Sequence, residues 1–524
     1  MTSPPLQSNE TGRAKTLDVL IIGAGCGGCY SLYKLRKLGF NVHVYEAGSA
    51  LGEVWHWNTY PRARVDSEMP FYQFSIPEVW RKWNWSERFP SGEELRGYFN
   101  HVEKTLDLSR NITYKAVVNR ASYIEDSGEW TVTTENGHNA VCKYLVCATG
   151  SCFKPHYPNF RNLDEFKGQL IYSTRWPADA KVKDKRVAII GSGATTVQCT
   201  QEVSKVAEHL TVYIRTASIS LPMVQRPLSD LEQEISKSTY RRMFEYCRNS
   251  HSSLGYDMQP GSVLDLSDAE REELWEELWN RGCFNFKQSN YRDFLVDEKP
   301  NRLMYEFGAR KTRPRVKNPA KAAFLVPEKA SFAFGTKRSS LEQDYYEYLD
   351  RDTVSIVDLK ANPIREFTDK GITCEDGSEL EFDTIVMATG FDAMTGSLTK
   401  MNFQGRDGIT FADRWKNGVP TAFSNGPPFI EVQVDMIAGL LQKLQNEGVK
   451  SIEAQRGAEE KWKQAIQDAN DRTLMPLTDS WYNGANIPGK KREQLMYLVG
   501  VKKYQEECRE ALATLEGFNV VLNE

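Results

Sequence analysis

Positive charge is not in excess in this sequence. Lys and Arg number 66 against 70 Asp and Glu in 524 residues, a formal net charge of −4. A chain without a basic surplus lacks the electrostatic footprint of non-specific nucleic-acid binding, so no nucleic-acid partner is expected. Cysteine is sparse, ten in all, too few for a disulfide scaffold. No stretch reaches the ~18–20 consecutive apolar residues of a membrane span. Met1 to Lys15 is polar and carries no apolar signal core. A soluble, cytoplasmic protein is therefore expected, and no metal site is. There is no internal repeat or low-complexity tract. With 40% apolar and 26% charged residues, collagen, coiled coil and wholesale disorder are excluded. The length is that of about two to four domains.

What the sequence does have is two glycine-rich turns between strand-like and helix-like segments. The first follows the branched apolar run Leu17-Asp18-Val19-Leu20-Ile21-Ile22 and reads Gly23-Ala24-Gly25-Cys26-Gly27-Gly28. A helical segment and a second strand ending in Glu46 come next. In that pattern Gly23 makes the tight turn and Gly25 admits a pyrophosphate. Gly28 lets helix and strand close up, and Glu46 faces ribose hydroxyls. Cys26 and Cys29 form a CxxC, but they sit inside the turn, where small residues are wanted, so a redox dithiol is not expected.

The second turn follows Arg186-Val187-Ala188-Ile189-Ile190 and reads Gly191-Ser192-Gly193-Ala194-Thr195-Thr196. Thr196 stands in place of a third glycine. Its second strand ends in Arg215-Thr216, where the first has Glu46. An acid there suits a free 2′-hydroxyl, whereas an arginine suits a 2′-phosphate, so the pair reads as an FAD site followed by an NADPH site. Two apolar strands ending in Ala-Thr-Gly, at 144–150 and 384–390, are expected to carry the chain between the two units. From about Leu228 to Arg313 the chain is rich in Glu, Arg, Trp and Tyr, with apolar residues at helical spacing. It reads as helices whose aromatics are mostly core.

Beyond the turns, the sequence resembles the Baeyer–Villiger monooxygenases, a family of class B flavin monooxygenases, from about Leu17 to Phe518. The resemblance rests on several runs. They are Leu51 to Asp66 (LGEVWHWNTYPRARVD), Phe166-Lys167-Gly168 to Tyr172 with Trp176-Pro177, Gly335-Thr336-Lys337-Arg338, Ala388-Thr389-Gly390-Phe391-Asp392, and Ser480-Trp481-Tyr482-Asn483-Gly484 to Lys490. It implies an α/β fold of two Rossmann-like, three-layer dinucleotide-binding domains with a helical insertion. Residues 1–16 would be a flexible N-terminus. Residues 17–155 and 379–524 would form the FAD domain with a C-terminal extension, 156–227 and 314–378 the NADPH domain, and 228–313 the insertion.

The same resemblance implies the chemistry. NADPH would reduce FAD, and a flavin peroxide would attack a ketone to give an ester or lactone. The substrates would be O2 and a bulky, apolar ketone of secondary-metabolite type. Arg338 would stabilise the negative charge, with Asp66 pairing to it. Val54, Trp55, Trp57, Asp66, Tyr72 and Val118 would line the flavin. Arg64, Arg215, Thr216 and Lys337 would contact NADPH, and Trp481 would close over it. The sequence departs from the family at Tyr172, where histidine is usual, at Arg62, where glycine is usual, and at Glu53-Val54. A segment that the family carries after Thr421 is absent, and its loss would leave a sheet edge unpaired. Two other readings stay open: oxygenation at nitrogen or sulfur, and a flavin-binding homologue with impaired turnover. Oligomeric state is not legible.

Overall fold

A computed structural model describes residues 14–52, 54–416 and 426–523. Two sheets organise them. The first has seven strands in the spatial order Asn402–Gln404, Val118–Ile124, Glu129–Thr134, Asn139–Cys147, Lys15–Ile22, Val42–Tyr45, Ile112–Thr113. Its centre is parallel, with Val19 opposite Val42 on one side and Tyr144 on the other. Val19, Leu20 and Ile21 are fully buried, as expected of a strand covered on both faces. The helix Cys26–Lys37 packs on one face with the long helix Gly426–Asn446. Cys26 and Cys29 are buried in that helix's first turn, where they serve as small packing residues.

The second sheet has five parallel strands in the order Val354–Asp358, His209–Ile214, Arg186–Ile190, Thr384–Met387, Gln169–Tyr172. The helix Ala194–Val206 covers it. Each sheet thus has a parallel, helix-covered centre in which one strand runs into a glycine turn, the doubly wound arrangement expected, and in the first sheet Glu129–Thr134 pairs antiparallel with both Val118–Ile124 and Asn139–Cys147.

One boundary is corrected by the pairing. Residues 379–387 were grouped with the flavin-binding half, yet Thr384–Met387 lies between Arg186–Ile190 and Gln169–Tyr172 in the second sheet. An apolar run shows that a strand is buried but not which sheet accepts it. The chain returns to the first sheet only after Met387. It does so through a linker tied to its counterpart by the bonds from His156 N to Gly390 O (2.9 Å) and Asp392 N to Lys154 O (2.9 Å).

Residues 228–313 carry the helices Asp230–Lys237, Tyr240–Asn249, Asp268–Arg281, Asn285–Gln288 and Glu298–Thr312. Trp275, Trp279, Phe286, Phe294 and Phe307 are buried in one cluster with the second sheet, so these aromatics are core. The segment expected to be absent after Thr421 falls outside the described residues. Among the described residues, no strand pairs with 143–147 on the side away from Lys15–Ile22, because Glu129–Thr134 pairs only with residues 139–142.

Candidate active site

The first glycine turn opens on a cavity with about 960 Å3 of empty space, mouth included. Gly23, Gly25, Glu46, Val54, Trp57 and Val118 line it, together with Gly150, Cys152, Phe153 and Lys400. The helix Cys26–Lys37 starts here with no side-chain cap and no acid in its first turn. Its first turn and positive dipole end therefore border the cavity with no acid in the helix's own first turn. That is the donor set a pyrophosphate requires. Gly28 is fixed by packing, since a Cβ there would lie 1.8 Å from the Gly23 carbonyl oxygen. Glu46 accepts from Ala24 N and Gly48 N, each at 2.6 Å. Burial pushes its carboxyl up against these two bonds. The residues present fit an FAD whose diphosphate meets the helix start.

The second turn repeats the arrangement. Gly193 precedes Ala194–Val206, again with no side-chain cap and no acid in the first turn. A Cβ on Gly193 would meet nothing within 4 Å, so the backbone there borders open space. Thr196, in place of a third glycine, is fully buried. Ser192, Ala194 and Thr195 complete the turn. At the end of strand His209–Ile214, Arg215 is exposed and Thr216 half-buried. Lys337 comes up beside Arg215. Burial lowers its ammonium, and the neighbouring Arg215 charge lowers it further. Two cations at the ribose end of the second turn fit a 2′-phosphate.

Between the two cradles stands the ion pair of Arg338 with Asp66. Asp66 is mostly covered, with 15% of its side chain exposed, whereas Arg338 keeps 43%. One edge of the guanidinium is thus held and the rest left open. The Asp66 charge raises Arg338 further above its already high value. Tyr60, Tyr482 and Cys152 share its surroundings. Asp66 is delivered by a loop that grips the helix Ala194–Val206. Tyr60 OH donates to Gln198 Oε1 (3.1 Å), Gln198 Nε2 donates to Arg64 O (3.1 Å), and Arg62 Nη1 donates to Glu202 Oε1 (3.0 Å).

Other expected residues take different places. Trp55 and Tyr72 stand outside the lining of the first cavity, where Trp55 Nε1 donates to Tyr72 OH at 3.2 Å. The Arg64 guanidinium does not join Arg215 and Lys337. It is occupied by Glu87 and the Phe89 carbonyl, both at 3.0 Å. Trp481 opens a short 3-10 turn whose Ser480 hydroxyl accepts from Tyr482 N. That loop is tied to the interdomain linker by Lys490 Nζ to Asp392 Oδ1 at 2.9 Å and Asn486 Nδ2 to Phe391 O at 2.9 Å. Tyr172, in the position of the usual histidine, ends strand Gln169–Tyr172 and meets Tyr157 edge-on at 4.5 Å. Sequence reasoning missed Arg175, which lies 4.0 Å over the Trp57 ring, and Cys152 and Phe153. The last two come one residue after the first Ala-Thr-Gly, which was the available signal.

An FAD cradle and an NADPH cradle facing one arginine–carboxylate pair define a pyridine-nucleotide-dependent flavoprotein. A family model described as pyridine nucleotide-disulphide oxidoreductase matches residues 17–239. The chain is 40% identical to the cyclopentanone 1,2-monooxygenase of Comamonas sp. over 534 residues, covering 98% of this chain and 97% of that one. A closed crystal structure of cyclohexanone monooxygenase superposes with a TM-score of 0.93 at 33% identity, covering 98% of this chain and all of the other. A crystal structure of OTEMO in complex with FAD and NADP gives 0.92 at 30% identity over 97% of this chain and all of the other. The chain belongs to the Baeyer–Villiger monooxygenase family. It is an FAD- and NADPH-dependent monooxygenase that inserts one oxygen atom into a ketone.

Proposed function

We propose that the enzyme oxygenates a bulky, largely apolar ring ketone, with Arg338 as the catalytic residue and Asp66 as its positioning partner. Bound FAD, reduced by NADPH, supplies the oxygen-activating chemistry. The chain's own contribution is to hold the dinucleotides at the two helix starts and to place a fixed positive charge where the carbonyl oxygen becomes negative. A guanidinium suits this because it stays charged and does not surrender its proton at working pH. Asp66 holds one edge of the fork and leaves the other toward the open site. That half-open pair is the observation that carries the reading. Oxygenation at nitrogen or sulfur builds no carbonyl oxyanion for the pair to stabilise.

Arg215 and Lys337 are assigned to the 2′-phosphate, and the Trp481 loop to closure over NADPH. The ring ketone in the name of the Comamonas relative supports an apolar ring substrate. No helix among the described residues is long and apolar enough to cross a membrane, and a cytoplasmic location is part of this proposal.

The test is the anaerobic flavin spectrum of wild type and Arg338→Ala, followed by product analysis in air. Wild type should bleach with NADPH and convert a ring ketone to its lactone. The variant should bleach equally and form no lactone. Lactone from the variant would remove Arg338 from the reaction. A wild-type flavin that NADPH fails to bleach would favour the impaired homologue.

A further inference from the structure

The insertion places a second cation beside Arg338. Its helix Asn285–Gln288 lies over the Asp66 segment, where the Cys283 thiol reaches the Asp66 carbonyl at 3.7 Å. From that helix Lys287 points inward and is 8% exposed. Its Nζ has one bond, to the Gly335 carbonyl at 3.4 Å, long for a hydrogen bond. Gly335 makes the room. Its φ is +84°, and a Cβ on it would sit 3.2 Å from Lys287 Cε and 2.7 Å from the Phe294 ring. Among the described residues no carboxylate lies within 4 Å of Nζ, and Asp66 is already paired with Arg338. Burial and the Arg338 charge lower the ammonium to about 8. A buried ammonium with two unmet donors is costly. A second buried cation near Arg338, with no carboxylate of its own, favours an anionic oxygen.

We propose that Lys287 is a specificity-determining residue that selects ketones carrying an ionised oxygen, a carboxylate or an acidic enol, near the carbonyl. The proposal rests on the ketone reading above and refines its substrate class: an apolar ring bearing one acidic group. Arg338 serves the carbonyl and Lys287 the acidic group. The competing source of negative charge is the reacting carbonyl oxygen itself, which every ketone supplies.

The holoenzyme, Lys287→Met and Lys287→Arg should be compared on cyclopentanone and on 3-oxocyclopentane-1-carboxylate, which differ in the carboxylate. Calorimetric binding of the unreactive cyclopentanecarboxylate provides a readout without turnover. In Lys287→Met the KM for the keto acid should rise about tenfold or more. The KM and kcat for cyclopentanone should stay within about twofold, Lys287→Arg should restore most of the preference, and heat of binding with the carboxylate should vanish. Equal loss on both ketones would assign the charge to the reaction itself and overturn the proposal. So would carboxylate binding that is the same in wild type and Lys287→Met. If wild type turns over neither ketone, the ketone reading is at fault, and the calorimetry still decides the role of Lys287.

Discussion

Arg62 reaches across from the flavin-side loop to Glu202, with Nη1 3.0 Å from Oε1, while its own backbone sits at a φ of +64°. The usual glycine here would take that conformation without penalty, whereas an arginine is strained by about 1 kcal/mol. The ion pair, with 16% and 33% of the two side chains exposed, returns about 0–1 kcal/mol. The two effects nearly cancel. Arg62→Gly should therefore leave the unfolding free energy within about 1 kcal/mol of wild type. Arg62→Ala loses the pair and keeps the strain, so it should be the less stable of the two, at a cost of up to about 1 kcal/mol in denaturant titration. Equal losses in both variants would show that strain plays no part.

Nucleotide choice should reside in Arg215 and Lys337. Arg215→Gln is expected to raise the KM for NADPH about tenfold and leave that for NADH within about twofold, because only the former carries the 2′-phosphate. Steady-state kinetics with both nucleotides checks this. A parallel rise for NADH would mean that Arg215 supports the turn rather than the phosphate.

The two glycine turns should respond differently to a methyl group. In Gly28→Ala the Cβ would meet the Gly23 carbonyl at 1.8 Å, so the strand and helix must part and flavin should be lost on purification. In Gly193→Ala nothing lies within 4 Å, so the melting temperature should hold while the KM for NADPH rises several-fold. Flavin content and thermal melts of the two variants distinguish the cases.

Lys287 should leave a mark on stability as well as on specificity. Its folded value of about 8 lies below the ordinary 10.5. Between those two values the unfolded chain binds more protons, so this group's contribution to stability rises with pH across that window and is least favourable below it. Lys287→Met should accordingly be more stable than wild type at pH 7, by up to about 3 kcal/mol. The gap should shrink toward pH 10. A gap that does not change with pH would mean the amine is not held in a desolvated site.

The sequence made the phosphate turns legible because local rules fix them: a branched strand, glycines at set spacing, a helix start. Glu46 and Arg215 could be proposed for the same reason, since each ends the next strand. The pairing of Asp66 with Arg338, residues 272 apart, was accessible only through family resemblance. No local pattern reports that a loop will dock on the helix Ala194–Val206. Thr384–Met387 was placed with the wrong sheet because burial carries no address. Arg64 was expected at the nucleotide, but Glu87 and the Phe89 carbonyl claim it, and a lone arginine does not disclose its partner. Lys287 was hidden among aromatics that are core.

Among the described residues, the last part of one flavin-side strand has a partner on one side only, and this has a kinetic consequence. Tyr144–Cys147 has a described neighbour on one side and is only half-buried, whereas Thr384–Met387 has neighbours on both sides and is fully covered. Amides protected by one ladder open by fraying, and those between two ladders open only when the sheet does. Deuterium should therefore enter 144–147 well before 384–387, although the two segments occupy matching places at the end of an Ala-Thr-Gly strand. The flavin half of the enzyme would then breathe beside its own cofactor, and holding FAD in place would slow that exchange.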